Sequence, residues 1–179
     1  ARICKMLWSS APDPITASKM IAKSHSCYHQ AYEMALEENH ENEAFYAGIN
    51  AATTAVIAGD LAKAKDLALH VQAICNKKLE SSSAANDYWL RATLGEVALI
   101  NGMLDEAADY YRQAAALAGA NLDSISTMRR QAKILAKHLD KDASFLDSVL
   151  SLPTICCFTG HIIDRPDREQ PRFPEASVE

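Results

Sequence analysis

The sequence contains little glycine and proline, and this scarcity limits the folds that it can form. Only six residues of each type occur among 179, and four of the six prolines lie at position 153 or later. About half of the residues are apolar, and alanine and leucine dominate among them. A chain so poor in turn residues and so rich in good helix formers is expected to be all-helical.

The sequence also lacks an excess of basic residues and any long apolar run. Its net charge of −5 argues against a general nucleic-acid surface. No segment approaches the roughly 20 apolar residues that a membrane span requires. The N-terminal segment "ARICKMLW" is too short for a signal peptide. We therefore expect a protein without a membrane or nucleic-acid partner, and the absence of an initial Met indicates an excised fragment.

The five cysteines form no Cys-x-x-Cys pair, and their number is odd. This pattern predicts reduced thiols and a cytoplasmic location. Adjacent Cys156 and Cys157 offer a redox role only as a weak alternative, because most such thiols are inert.

Hydrophobic periodicity divides the first 152 residues into helices. After the end of a helix over 1–8, it predicts about seven helices in residues 15–38, 43–58, 61–79, 87–101, 104–118, 122–139 and 143–150. Asn86 or Asp87 is available as an N-cap, and Gly59 and Gly102 mark helix ends. We expect a helical domain over residues 1–152.

The character of the sequence changes at residue 153. The segment "PTICCFTG" at 153–160 is β-branched and aromatic, which predicts a strand, and a proline-rich charged stretch follows it. One strand cannot form a sheet alone. Residues 153–179 are therefore interpreted as the truncated start of a following domain or as an extended tail.

Two stretches of the helical region repeat each other. Residues 49–71 and 92–114 superpose without a gap at an offset of 43 residues. The aligned pairs are Gly59 with Gly102, Leu61 with Leu104, Ala64 with Ala107, Ala68 with Tyr111, and Val71 with Ala114. The pattern resembles a tetratricopeptide repeat of about 34 residues, with about nine more absorbed around 75–86. We expect small residues to let paired helices approach closely, and Tyr111 to fill space against the next hairpin.

Two further motifs narrow this resemblance. Tyr46, Gly48, Ile49 and Asn50 form a Tyr-x-Gly-Ile-Asn stretch before one hairpin, and Tyr88-Trp89 begins the next. Over about residues 15–140 the chain is similar to the divergent tetratricopeptide region of the apoptosis signal-regulating kinases, also called the TRAFs-binding domain, and to its bacterial relatives.

This resemblance implies a regulatory role beside an effector domain. In the kinases the region is a scaffold next to the catalytic domain, and the bacterial members are thought to sense a nucleotide-type ligand. The segment 156–175 looks like the start of a Rossmann-like domain that follows such repeats in bacterial proteins. His161 and Asp164 are candidates for chemistry in that domain.

The first helix of each hairpin is expected to line a concave groove. Spacings of three, four and seven residues place the candidates on one face of each helix. The candidate ligand-binding residues are Tyr46, Asn50, Thr53, Trp89, Thr93, Glu96, Arg129, Arg130 and Lys133. Aromatic, amide, hydroxyl and cationic groups suit a nucleotide-like ligand or a peptide. The alternative is that Tyr46 and Trp89 only pack, and that Glu96 pairs with Arg129 or Arg130.

No other motif predicts a catalytic or metal site. His25 and His29 share one helix face, but no third ligand accompanies them. The sequence has no Gly-x-Ser-x-Gly, no phosphate-binding loop and no matched acid–base pair. We therefore expect a non-enzymatic binding module without cofactor or metal, which senses a small ligand in its groove or serves as a protein-interaction scaffold.

Overall fold

The computed structural model describes residues 1–80 and 87–152, and every regular element within them is an α-helix. The helices are α1 (Arg2–Ser9), α2 (Pro14–Glu37), α3 (Glu41–Ala58), α4 (Leu61–Leu79), α5 (Tyr88–Asn101), α6 (Leu104–Ala118), α7 (Leu122–His138) and α8 (Phe145–Val149). The prediction of an all-α fold built from helical hairpins is confirmed. These ranges contain eight helices where about seven were expected, and α1 is the additional one.

Local signals in the sequence account for most helix ends. Gly59 and Gly102 adopt left-handed conformations, with φ of +84° and +80°, and end α3 and α5. The side chain of Asp87 caps α5 by accepting from the backbone N–H groups of Trp89 and Leu90. Helix α3 begins at Glu41, two residues before the predicted start, because α2 ends sooner and Asn39 turns the chain with a φ of +57°.

Consecutive helices pack into hairpins that form two layers. Helices α3, α5 and α7 contact one another, and we call them the inner helices. Helix α2 packs on α1 and α3, α4 packs on α3 and α5, and α6 packs on α5, α7 and α8. Because two-residue turns join α3 to α4 and α5 to α6, each pair folds back on itself and buries its facing side chains.

Two glycines allow the closest approaches between helices. A Cβ on Gly95 would lie 2.9 Å from the ring of Tyr111, so the ring lies directly on the α5 backbone. A Cβ on Gly48 would lie 2.6 Å from Val71 Cγ2 and 3.0 Å from the Tyr32 ring. The expectation that small residues permit close packing fits this arrangement. The ring of Tyr111 thus fills space within its own hairpin, against Gly95 of α5.

Several predictions concern parts of the chain outside the described residues. They are the strand over 153–160, the domain or tail over 153–179, the pair Cys156-Cys157, and the residues His161 and Asp164. Among the described residues, no helix combines the length and apolar character that a membrane span requires.

Candidate functional site

Three half-buried polar residues, Asn50 of α3, Glu96 of α5 and Gln131 of α7, lie on the inner helices, and we call the place between them the cleft. Helix α1 lies across it. Lys5 of α1 reaches between α3 and α7, where its Nζ donates to Asn50 Oδ1 at 3.2 Å and to Gln131 Oε1 at 3.0 Å. At the other end of α1, the rings of Trp8 and His138 lie 5.5 Å apart between centroids. A helix of the same chain thus lies across part of the surface that was expected to line a concave groove.

The amide of Asn50 has a fixed orientation. Its Nδ2 donates to the backbone carbonyl of Tyr46 at 2.9 Å, one turn earlier in α3. Only the nitrogen of the amide can donate, so this bond turns Oδ1 away from the backbone and toward Lys5. The predicted residue Asn50 therefore presents an acceptor to the cleft.

Thr53 and Glu96 meet across the inner helices. They occupy equivalent positions in the two repeats, 43 residues apart, and Thr53 Oγ1 donates to Glu96 Oε2 at 3.3 Å. Burial raises the pKa of Glu96 to about 7, although the Lys5 charge and the Thr53 hydrogen bond both oppose this rise. The internal repeat thus brings two of the predicted residues into direct contact.

The charges at the cleft belong to Lys5, Glu96 and Arg130. Burial lowers the pKa of Lys5, the negative charge of Glu96 raises it, and the positive charge of Arg130 lowers it further. Glu96 is half-buried at the surface of the cleft. Burial and, after it, the charge of Glu96 raise the pKa of the Tyr111 hydroxyl. Lys5 and Glu96 form the centre of a small cluster in which each charge depends on the other.

Replacing Glu96 by glutamine is expected to change the free energy of unfolding, relative to wild type, more favourably at pH 8 than at pH 5. A carboxyl whose pKa is raised in the folded state stabilises fully below its unfolded pKa, and this contribution is lost as the pH rises through about 7. The full shift corresponds to about 3 kcal/mol, and partial exposure reduces the expected difference to about 1–2 kcal/mol. Urea unfolding of both proteins between pH 5 and pH 8 measures it.

Thr53→Val provides the control for this pH dependence. The change removes the hydroxyl that lowers the pKa of Glu96 and keeps the side-chain shape. The pH at which stability is lost should therefore move upward in this variant. If the stability difference between wild type and Glu96→Gln is the same at pH 5 and pH 8, Glu96 does not titrate in this range.

The two predicted aromatic residues lie in separate surroundings. Tyr46 is 54% exposed, and its ring meets Tyr28 edge-on at 6.4 Å. Trp89 is 42% exposed and lies 4.8 Å from the ring of Tyr88, whose hydroxyl hydrogen-bonds Ser124 of α7 at 2.9 Å. Both rings therefore offer an exposed face, and each has its own aromatic neighbour.

The two predicted threonines are buried. Thr53 is fully inaccessible to solvent and Thr93 is 6% exposed. Their positions fit the packing interpretation, because a ligand could reach these hydroxyls only if the inner helices moved apart.

The predicted cations lie along α7 and contact α8. Arg129 and Lys133 both pair with Asp147, at 2.5 and 2.7 Å. Hydrogen bonds from Lys133 and Arg129 lower the pKa of Asp147. Arg129 is thus not the partner of Glu96, which instead accepts from Thr53 and faces the charge of Lys5.

An open groove of about 450 Å³ runs along this basic side of α7. Its lining contains all three predicted cations together with Ser126, Ile134, Lys137 and Leu152. Four cationic side chains accompanied by one carboxylate, Asp147, give this groove a positive character.

The histidine pair on α2 is engaged in protein contacts. His25 Nδ1 donates to the Ala51 carbonyl at 3.0 Å, and His29 Nδ1 lies 3.4 Å from Glu33. Across 1–80 and 87–152, no group of three or more His, Cys, Asp or Glu residues is placed to hold a metal ion.

Sequence reasoning did not identify Lys5 and Gln131 as site residues. Neither residue belongs to a motif, and 126 residues separate them in the chain. Helical phase was the one available signal, and it concerned α7 alone. Gln131 and His138 are seven residues apart, so they share the face of α7 that α1 contacts. Nothing local indicated that α1 would meet that face.

The chain matches no protein-family model, no curated protein and no solved structure.

Proposed function

We propose that the chain is a non-enzymatic binding module that receives a helical polypeptide segment on its inner helices, with α1 covering that surface in the free protein. The observation that carries this proposal is the insertion of Lys5 between Asn50 and Gln131. A surface that already holds a short helix has a suitable shape and suitable partners for a helix from another protein.

The position of α1 supports a role as an exchangeable cover. None of its eight residues is buried, and its N-terminus has no side-chain cap. Isolated helices shorter than about 12–15 residues are marginal in water, so α1 depends on its packing against α2 and on its contacts with the cleft. A competing segment with better contacts could therefore replace it.

The wider part of the proposal rests on the sequence resemblance. A tetratricopeptide-like scaffold that resembles the TRAFs-binding region and its bacterial counterparts would act in the cytoplasm of a bacterium, as a regulatory unit beside an effector domain. In that role, binding of a partner on the inner helices would be the signal passed to the effector.

A synthetic peptide of residues 1–12 tests polypeptide binding directly. Full-length Lys5→Glu protein places a negative charge beside Glu96, so its own α1 should leave the cleft and the peptide should bind there. Wild-type protein should bind the peptide at least about tenfold more weakly, because its own α1 competes at high effective concentration. Fluorescence anisotropy of a labelled peptide measures both affinities, with a scrambled peptide as the control.

Two outcomes of the peptide experiment contradict the proposal. If neither protein binds the peptide, the cleft does not accept a helix in trans. If both proteins bind it equally well, the peptide occupies a different surface.

A nucleotide-like ligand is the second candidate, and the exposed ring of Trp89 together with the basic groove favours it. Aromatic rings stack on bases and cations bind phosphates. A thermal-shift screen of nucleotides against wild type and Trp89→Ala tests this function. The candidate is rejected if no nucleotide stabilises wild type more than the variant.

A further inference from the structure

We propose that the cleft between Asn50, Glu96 and Gln131 is a binding site for a primary ammonium group, supplied by a lysine of the partner segment and held in the free protein by Lys5. This inference rests on the proposed polypeptide-binding function and specifies its chemistry. Three inner helices supply the three side chains, and Lys5 already occupies the position that the partner's lysine would take.

The cleft presents oxygen acceptors in fixed orientations. Because Asn50 Nδ2 donates a hydrogen bond to the Tyr46 carbonyl, the amide oxygen of Asn50 faces the cleft. The Thr53 hydroxyl holds one oxygen of the Glu96 carboxylate. The amide oxygen of Gln131 lies 3.0 Å from the ammonium nitrogen of Lys5. An ammonium group has three donors and no acceptor. Two donors bind the oxygens of Asn50 and Gln131, and the negative charge of Glu96 favours the cation without a direct hydrogen bond.

The same arrangement selects against other ligand groups. An anion would face the carboxylate of Glu96 and two amide oxygens with no donor directed at it. A guanidinium is planar and larger than the compact ammonium that fits between Asn50 and Gln131.

Helix α1 has the features of an occupant that can leave. Three of its apolar side chains are exposed, with 72% for Ile3, 62% for Met6 and 51% for Leu7, whereas Trp8 is half-buried against His138. Its polar side carries Lys5 into the cleft. Helix α1 is held by packing against α2 and by three specific contacts. These are the Lys5 ammonium contact, the Trp8–His138 ring contact and a hydrogen bond from the Ser24 hydroxyl to the Ala1 carbonyl.

The full-length Lys5→Ala variant tests the ammonium site with n-propylammonium as the probe. This ion replaces the three carbons and the nitrogen that the substitution removes. It should perturb the NMR signals of the Asn50 and Gln131 side-chain amides and saturate in the millimolar range expected for so small a ligand. Wild type should bind it at least about tenfold more weakly, because Lys5 fills the site.

Two controls make the result specific. Tetramethylammonium carries the same charge without a donor and should leave both amide signals unchanged. Lys5→Ala combined with Glu96→Gln should lose most of the affinity for propylammonium while the fold persists. The inference is overturned if propylammonium shifts neither amide in Lys5→Ala, or if it binds the combined variant equally well.

The outcome is separable from that of the peptide experiment. Propylammonium binding without peptide binding supports an ammonium site and contradicts polypeptide recognition. Peptide binding without propylammonium binding supports the polypeptide role and overturns the ammonium site. Because α1 has no buried residue, Lys5→Ala is expected to fold, and its dispersed amide spectrum verifies this before titration.

Discussion

Replacing Tyr111 by alanine is expected to lower the free energy of unfolding by about 3–5 kcal/mol. The side chain is fully buried in α6, and its ring lies directly on Gly95 of α5. Its removal leaves a cavity at the centre of the α5–α6 hairpin, which the rigid helices cannot close. Urea unfolding monitored by circular dichroism measures the loss, which should also lower the Tm by about 10 °C or more.

Tyr111→Phe is the matched control for this prediction. The Tyr111 hydroxyl finds no hydrogen-bond partner among the described residues. Burying an unpaired hydroxyl costs about 1–3 kcal/mol, so phenylalanine should be as stable as tyrosine or more stable by about 1 kcal/mol. A loss of stability on this change would show that the hydroxyl makes a bond in solution and that the ring alone does not account for the effect.

Replacing Gly48 by valine is expected to cost about 3 kcal/mol through overpacking. A Cβ at this position would approach Val71 Cγ2 to 2.6 Å and Tyr32 to 3.0 Å, and both neighbours are buried. The gain in helix propensity over glycine, less than about 1 kcal/mol, cannot offset this clash. Denaturant unfolding of the variant and wild type measures the difference.

The Val71→Ala change provides a double-mutant cycle for Gly48→Val. Removal of the Val71 methyl groups should relieve part of the clash, so the two changes together should cost less than their sum by about 1 kcal/mol or more. Additive losses would mean that α3 and α4 do not approach as closely as Gly48 and Val71 indicate.

Both changes also bear on the cleft, because hairpin packing positions the inner helices. Gly48 precedes Asn50 by two residues in α3, and Gly95 immediately precedes Glu96 in α5. A shift of either helix would displace an acceptor of Lys5 or the Thr53–Glu96 hydrogen bond. We therefore expect Gly48→Val in α3, and Tyr111→Ala through its contact with Gly95, to weaken the docking of α1 as well as overall stability.

The helices and their ends could be predicted because their causes are local. Gly59 and Gly102 end helices through their own backbone conformations, and Asp87 caps α5 through bonds to residues two and three positions away. The 43-residue repeat also indicated which residues occupy equivalent places on successive inner helices. The contact between Thr53 and Glu96 follows from that equivalence.

The candidate site could be predicted only in part. Asn50, Thr53 and Glu96 do lie together on the inner helices, as helical phase within each repeat suggests. The same reasoning grouped Arg129 and Lys133 with them, whereas both cations extend toward Asp147 of α8. Helical phase gives the face on which a residue lies, but it does not reveal which neighbouring helix will meet that face.

The helical elements, their ends and the small residues that allow hairpins to close could be read from the sequence, because they depend on hydrogen bonds and periodicity within a few residues. The position of α1 across the inner helices, and of Lys5 between Asn50 and Gln131, could be seen only in the folded protein. Those bonds join residues 45 and 126 positions apart. Such contacts follow from the summed geometry of all the intervening helices, which no local pattern specifies.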